Sequence, residues 1–138
     1  MNNMRTLGNT DMKVVPVGLG CMGFSHAYGA PTQKQEAVRM IRAAYEMGYN
    51  FFDTAECYIG TNEDGSTSYN EELVGEALAD VRDKVVIATK FGVQHSPAGL
   101  QMDSRPGSTM QHPPLKRDWI SEALCRSTRK KDSRPHRS

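Results

Sequence analysis

The sequence predicts an α/β fold with a parallel sheet, and two observations support that prediction. Before residue 103, strand-like and helix-like segments alternate in the order strand, helix, strand, helix, strand. The helical segments are long enough to be the crossovers that parallel strands require. The alternation is lost in the rest of the chain, which indicates that the α/β segment does not extend over all 138 residues.

The first predicted strand is Val14–Leu19, a segment rich in β-branched residues that precedes a glycine-rich loop. Pro16 weakens this prediction because proline cannot donate a hydrogen bond to a strand ladder. The first helix is predicted over Thr32–Met47, because Thr32 and Gln35 have the spacing of a capping box and Gly48 is a natural stop. Its apolar stripe consists of Ala37, Met40, Ile41, Ala44 and Met47.

The second half of the alternation begins with a short strand at Asn50–Asp53, followed by a predicted loop at 54–67 that is rich in turn-forming residues. Ser68 and Glu71 form a second possible capping box, at the start of a second helix. The apolar stripe of that helix consists of Tyr69, Leu73, Val74, Ala77, Leu78 and Val81. Val85–Thr89 is the clearest strand of the sequence.

The formal net charge of +1 combines two segments of opposite sign. Residues 1–102 contain 8 basic and 12 acidic residues, whereas residues 103–138 contain 9 basic and 4 acidic residues. No apolar run is long enough to span a bilayer and the N-terminus lacks the order of a signal peptide, so we expect a cytoplasmic protein. The three cysteines, Cys21, Cys57 and Cys125, have no paired spacing and are expected to be reduced thiols.

Three polar residues follow the predicted strands: Asp53 and Lys90 end two of them, and Tyr58 lies in the loop between. The carboxyl ends of adjacent parallel strands meet at one face of the sheet, where functional residues of such folds lie. A tyrosine has a pKa of about 10, which a nearby ammonium lowers. With an aspartate orienting the lysine, such a trio can donate a proton to a carbonyl oxygen during reduction by hydride. Taken singly, each residue is also consistent with a structural role: Asp53 as a turn former, Tyr58 as an aromatic at the rim and Lys90 as a solvated charge.

The motifs GLGCMGFSHAYG, FFDTAECYIGTNEDGSTSYNEELVGEAL and DKVVIATKFG resemble the aldo-keto reductases from about Met4 to about Pro106. The resemblance implies the first three βα units of a (β/α)8 TIM barrel, an oxidoreductase that reduces aldehydes or ketones to alcohols with NADP(H). It implies that Tyr58 is the general acid, that Lys90 tunes the pKa of Tyr58, and that Asp53 supports and orients Lys90. Met22 and Gly23 match positions on the nicotinamide side of the pocket, where Asp53 is also counted among the cofactor-binding residues.

Other patterns in the sequence give weaker evidence for functional sites. Phe24 and Tyr28 are candidates for substrate contact or for packing within their loop. The NEDG segment at 62–65 lacks the ligand count of a calcium loop and is read as a solvated turn. The glycine pattern at 18–23 lacks the helix and acidic residue of a dinucleotide fingerprint. No metal site is predicted, because four histidines show no ligand spacing with the cysteines: His26, His95, His112 and His136.

The resemblance ends near Pro106, so it implies a partial, incomplete barrel domain at 1–106 and a basic tail outside the family pattern at 107–138. Family members continue at this point with a helix and a strand that carries a catalytic histidine. His112 is too close to Lys90 and follows no apolar strand, so the fourth catalytic residue is not identified. Pro113 and Pro114 block a helix, and the basic polar end favours disorder. A shifted, mis-spliced or truncated reading frame near Pro106 is the favoured explanation, and comparing the alternate reading frames of the gene tests it.

Three functional hypotheses follow. The favoured one is a carbonyl reductase by descent, with weak or no activity in this chain alone because the family binds the adenosine and phosphate groups on later units. The alternative is a non-enzymatic fragment or binding module that uses the basic tail on an acidic partner. In a third, a separate chain supplies the missing units. A small carbonyl substrate is expected, neither a membrane nor nucleic acid is a favoured partner, and the oligomeric state is left open.

Overall fold

The structure, a computed structural model, describes residues 3–102, except for the side chains of residues 94–96 and 100. It contains two α-helices and nine short strands in that range. In chain order these are β1 (Arg5–Thr6), β2 (Lys13–Val14), β3 (Leu19–Gly20), α1 (Lys34–Glu46), β4 (Phe51–Asp53), β5 (Ile59–Thr61), β6 (Thr67–Tyr69), α2 (Asn70–Ala77), β7 (Val86–Ala88), β8 (Val93–Ser96) and β9 (Gly99–Met102). Two 3₁₀ segments lie at Met22–Phe24 and Ala79–Lys84.

The centre of the fold is a parallel sheet with the strand order β3–β4–β7. Phe52, at the middle of β4, pairs with Leu19 on one side and with Ile87 on the other. Helix α1 connects β3 to β4, and α2 lies between β4 and β7. The predicted α/β fold with a parallel sheet is therefore confirmed, and the carboxyl ends of its three strands lie at one rim.

The predicted first strand, Val14–Leu19, is wrong in its bounds. Val14 pairs with Arg5 in an antiparallel hairpin, and the parallel strand begins only at Leu19. The cause lies at Pro16, which is exposed and has no N–H to donate to a neighbouring strand. The side chain of Asn50 instead pairs with the backbone here, because it accepts from the N–H of Val15 and donates to the carbonyl of Lys13, both at 2.9 Å.

Helix α1 begins at Lys34, two residues later than predicted. Gln33 precedes it with an extended backbone and makes no side-chain cap, and the N–H of Thr32 donates to the carbonyl of Phe24 at 2.9 Å. The predicted capping box at Thr32 is therefore wrong, because Thr32 is part of the loop. The predicted stop is confirmed, since Gly48 adopts a φ of 104° directly after the helix.

The apolar stripe of α1 is only partly as predicted. Its buried residues are Ala37, Ile41 and Ala44, whereas Met40 and Met47 are 45% and 75% exposed. At 100° per residue, both methionines lie together at one edge of the buried stripe. The core contacts on the opposite side come from two partly buried residues, Val38 and Tyr45.

Helix α2 begins at Asn70, and its predicted capping box is also wrong. Ser68 lies in β6 and Tyr69 occupies the N-cap position without a side-chain bond. The stripe itself is confirmed except for Tyr69, which is 38% exposed. Its buried members pack with Cys21, Ile41 and Phe52 in one core between the helices and the sheet: Leu73, Val74, Ala77, Leu78 and Val81. This core fixes the strands whose ends form the rim.

The predicted loop at 54–67 contains a hairpin of β5 and β6, which pair antiparallel. The NEDG segment forms its tight turn, as predicted: the N–H of Asn62 donates to the carbonyl of Ser66, and Gly65 has a φ of 82°. A second hairpin, β8 and β9, follows the rim at 93–102 and was not predicted.

The predicted boundary at 106, the tail at 107–138 and His112 all lie outside the described residues. Within 3–102, no helix has the length and apolar character needed to cross a membrane.

Candidate active site

Backbone hydrogen bonds bring the segments that follow the three parallel strands together at one rim. The N–H of Cys21 donates to the carbonyl of Asp53, and the N–H of Thr54 donates to the carbonyl of Ala88, both at 2.8 Å. The N–H of Glu56 then donates to the carbonyl of Lys90 at 3.1 Å. The pairing of β4 with its neighbours thus continues past the end of the strand, so residues just after β4 and β7 lie side by side.

Asp53, Tyr58 and Lys90 converge at this rim, as the strand order predicts. The ammonium nitrogen Nζ of Lys90 is 2.6 Å from Oδ1 of Asp53 and donates to the carbonyl of Thr54 at 3.0 Å. The same nitrogen lies 5.0 Å from the centroid of the Tyr58 ring. The side chains of Lys90 and Asp53 remain 48% and 44% exposed, so a ligand can reach them.

The pKa of Lys90 is raised above its ordinary value. Partial burial alone would lower this pKa, but hydrogen bonds and charge interactions with Asp53 and Tyr58 outweigh it. A lysine is already charged at neutral pH, and the raised pKa keeps the charge in place well into the alkaline range. The rim therefore holds a fixed positive charge beside a phenol.

The position of Tyr58 is set by its backbone and by a ring neighbour. Its carbonyl accepts from the hydroxyl of Ser25 at 2.9 Å and from the N–H of Asn70 at 3.1 Å. Its ring lies nearly parallel to that of His26, with centroids 6.1 Å apart. His26 in turn bonds the carbonyl of Ile59 through Nδ1 at 2.8 Å, which requires Nδ1 to carry the proton. No spacing in the sequence pairs His26 with Tyr58, so sequence reasoning missed this neighbour.

The loop after β3 carries Met22 and Gly23, the residues that the resemblance assigns to the nicotinamide side. Both lie in the 3₁₀ segment, where the carbonyl of Met22 accepts from the N–H of His26 at 2.9 Å. Met22 is half-buried and Gly23 is exposed. The structure thus places the loop next to Tyr58 through His26, while the cofactor-binding role of its residues stays a prediction.

The two aromatic residues of this loop differ in environment. Phe24 packs against the core, which favours its packing role over substrate contact. Tyr28 is 77% exposed, and its ring lies over Gly23, where an added Cβ would be 3.4 Å from Cδ2.

A buried polar network lies directly beneath the rim. The side chain of Asn70 is bonded at every polar position: Oδ1 accepts from the Thr54 hydroxyl at 2.7 Å, and Nδ2 donates to the Cys21 carbonyl at 2.8 Å and to the Ser25 hydroxyl at 2.7 Å. Asn70, Thr54 and Ser25 are each 1% exposed. Sequence reasoning missed this network, since an asparagine at a helix start normally indicates a solvated cap.

Two carboxylates fix the segment after β7. Oε1 of Glu71 accepts from the Thr89 hydroxyl at 2.5 Å, and Oε1 of Glu56 accepts from the N–H of Gly92 at 2.6 Å. Glu71, which the sequence suggested as a capping residue, therefore holds the residue that precedes Lys90.

Cys21 is an inert part of the core at this rim. Burial, and secondarily the charge of Asp53, raises the pKa of Cys21 to about 12, against a smaller opposing effect of Lys90. Its thiol is therefore protonated at neutral pH and is not a nucleophile. In the part of the chain that the structure describes, no group of three or more histidine, cysteine or acidic side chains is arranged to hold a metal ion.

The sequence matches the model of the Aldo/keto reductase family over residues 16–133, most of the chain. It is 44% identical over 88 residues to probable aldo-keto reductase 1 of Glycine max, and 36% identical over 88 residues to the uncharacterized oxidoreductase YqkF of Bacillus subtilis (strain 168). These alignments cover 63% and 64% of this chain but 23% and 24% of the relatives. The chain thus spans about a quarter of the length of these relatives.

The fold is similar to that of aldo-keto reductase AKR11C1 from Bacillus halodurans in its holo form, with a TM-score of 0.60 and 29% identity. The similarity covers 94% of this chain and 36% of that (β/α)8 barrel. The described α/β units therefore correspond to part of such a barrel. The family match runs past Pro106, and the boundary predicted there stays a prediction. Sequence match and fold together show that this chain belongs to the aldo/keto reductase family.

Proposed function

We propose that this chain supplies the catalytic rim of an NADP(H)-dependent reductase of aldehydes and ketones, with Tyr58 as the general acid. The observation that carries the proposal is the position of the Lys90 ammonium, 2.6 Å from the Asp53 carboxylate and 5.0 Å from the centre of the Tyr58 ring. Because the chain spans about a quarter of its relatives, the activity of a complete barrel is itself part of the proposal.

The donor set at the rim fits the nicotinamide half of such a cofactor. The partly exposed carboxylate of Asp53 can accept from ribose hydroxyls. Gly23 is exposed, and the Tyr28 ring lies on the side where its Cβ would be. Met22 adds an apolar, half-buried side chain beside it. The holo form of the Bacillus halodurans relative supports a bound cofactor, and the choice of NADP(H) comes from the family resemblance.

The cofactor, when bound, supplies a hydride to the carbonyl carbon of the substrate. The carbonyl oxygen gains negative charge as its double bond opens, and the phenol of Tyr58 gives it a proton to complete the alcohol. The Lys90 ammonium stabilises the phenolate that remains, by charge attraction at close range. Asp53 holds Lys90 in place, and a proton from water restores Tyr58 for the next cycle.

NADPH titrations of this chain combined with the remaining barrel segment of the Bacillus subtilis relative test cofactor binding, with thermal stabilisation as the readout and NADH as the comparison. Stabilisation by NADPH at lower concentration than by NADH supports the proposed cofactor. No stabilisation by either, together with salt-dependent retention on heparin, favours the binding module instead. NADPH oxidation with a reactive aldehyde tests the prediction that the chain alone is weakly active or inactive.

A cytoplasmic location for the protein also stays a prediction.

A further inference from the structure

We propose that Asn70 is a positioning residue that sets where the Tyr58 phenol and the Lys90 ammonium lie at the rim. The inference builds on the proposed function and adds a residue to it. Asn70 is the first residue of α2 and has no exposed polar atom to offer a ligand, since it is 1% exposed. Any effect on the reaction therefore passes through its neighbours.

The first route runs from Asn70 to Lys90 through Thr54. The hydroxyl of Thr54 donates to Oδ1 of Asn70 at 2.7 Å, and the carbonyl of the same threonine accepts from Nζ of Lys90 at 3.0 Å. Thr54 directly follows Asp53, whose carboxylate is a second acceptor for Lys90. The amide of Asn70 thereby fixes the peptide that carries one acceptor of the ammonium and adjoins the second.

The second route runs from Asn70 to Tyr58 through Ser25. Nδ2 of Asn70 donates to the Ser25 hydroxyl at 2.7 Å, and that hydroxyl donates onward to the Tyr58 carbonyl at 2.9 Å. The backbone N–H of Asn70 donates to the same carbonyl at 3.1 Å. A substitution at Asn70 keeps the backbone bond and removes the route through Ser25, so the two contributions are separable.

Only an amide fits the three side-chain bonds of Asn70. The Cys21 carbonyl can only accept, which fixes the atom facing it as the donor Nδ2 and leaves Oδ1 for Thr54. An aspartate would present an acceptor to that carbonyl, and an alanine would remove one hydrogen bond from each of three groups: the Cys21 carbonyl and the hydroxyls of Ser25 and Thr54. The residue thus joins the segments after β3 and β4 directly beneath Tyr58 and Lys90.

The experiment compares Asn70→Ala with Asn50→Ala in the full 138-residue chain. Asn50 is a matched control because its amide also makes two bonds to the backbone, but at the opposite end of β4, near the N-terminal hairpin. An amine-acylating reagent at neutral pH is applied to each variant, and modification of Lys90 is measured by peptide mass spectrometry with Lys84 as internal reference. This readout requires no turnover, so it separates positioning from the proposed activity.

We expect Lys90 to react about threefold to tenfold faster in Asn70→Ala, because a weakened hydrogen bond from its Nζ to the Thr54 carbonyl favours the reactive neutral amine by a factor of that order. Asn50→Ala should leave that rate unchanged, and Lys84 should react equally in all chains. Equal Lys90 rates in the two variants would overturn the inference. If Asn70→Ala does not fold, Thr54→Val carries the same test, since it removes only the hydroxyl bond to Asn70. A faster Lys90 reaction in Asn70→Ala, with no aldehyde reduction when the unsubstituted chain is combined with the remaining barrel segment of the Bacillus subtilis relative, would support the positioning role and refute the proposed function.

Discussion

Gly60→Ala tests how tightly the Tyr58 segment is packed against the loop after β3. An ideal Cβ at Gly60 would lie closer than 3.0 Å to the Ser25 carbonyl oxygen and 2.8 Å from Cγ of Pro31. The Ser25 oxygen belongs to the backbone and cannot rotate away as a side chain can. The Ser25 peptide must therefore move by roughly an ångström in a closely packed region. That displacement endangers the bonds of the Ser25 hydroxyl with Tyr58 and Asn70.

The expected destabilisation combines two effects. Overpacking costs about 1–3 kcal/mol, and loss of a buried hydrogen bond costs about 1–3 kcal/mol more, so the sum is about 2–6 kcal/mol. This is a large fraction of the stability of a small domain, which is about 5–15 kcal/mol. Urea denaturation followed by circular dichroism measures the change.

Gly75→Ala is the matched control for this prediction. Gly75 lies within α2, and an added Cβ there meets nothing within 4 Å. The same substitution should stabilise the chain by about 0.5–1 kcal/mol, because glycine is a poor helix former. Equal denaturation midpoints for Gly60→Ala and the unsubstituted chain would refute the packing argument.

The remaining predictions concern the titrating groups of the rim. The pKa of Lys90 is raised in the folded chain, so its stabilising contribution is complete below the ordinary lysine pKa of about 10.4 and is lost as the pH rises through the higher folded value. Asp53→Asn should reduce this alkaline decline, because Asp53 is one of the two groups that raise the Lys90 pKa. The reduction is seen as a flatter dependence of the urea midpoint on pH above about 10; an unchanged slope would contradict the Asp53–Lys90 contact. The pKa of Cys21 is about 12 because the thiol is buried, so a maleimide should label Cys21 only after urea unfolds the chain. Labelling of Cys21 in the native chain at the rate of a small thiol would contradict its burial.

The convergence of Asp53, Tyr58 and Lys90 was predictable from the sequence for a physical reason. Two strands separated by a helix run parallel, so their carboxyl ends meet at one rim whatever the details of packing. The resemblance to a known family then distinguished this trio from ordinary turn formers and solvated charges. Predicting that these three residues meet at one rim required only the order of the strands and helices. Errors of a few residues in the bounds of those strands and helices therefore did not affect the prediction.

Other features depend on contacts that a one-dimensional pattern does not contain. The first strand was misplaced because the backbone near Val15 pairs with the side chain of Asn50, 35 residues away. Met40 and Met47 share a periodicity with the buried residues of α1 but lie beyond the edge of the contact face. Asn70 was missed because a polar residue at a helix start is normally solvated, and its burial follows only from the closure of two loops over it.

The central claim is that Tyr58 gives a proton to a carbonyl oxygen beside a fixed ammonium. Its most direct test is the rate of NADPH-dependent aldehyde reduction when this chain is combined with the remaining barrel segment of the Bacillus subtilis relative. We expect turnover that falls by about 10²–10⁴-fold in Tyr58→Phe and is retained in Asn50→Ala. Equal turnover in the unsubstituted chain and in Tyr58→Phe would contradict the account.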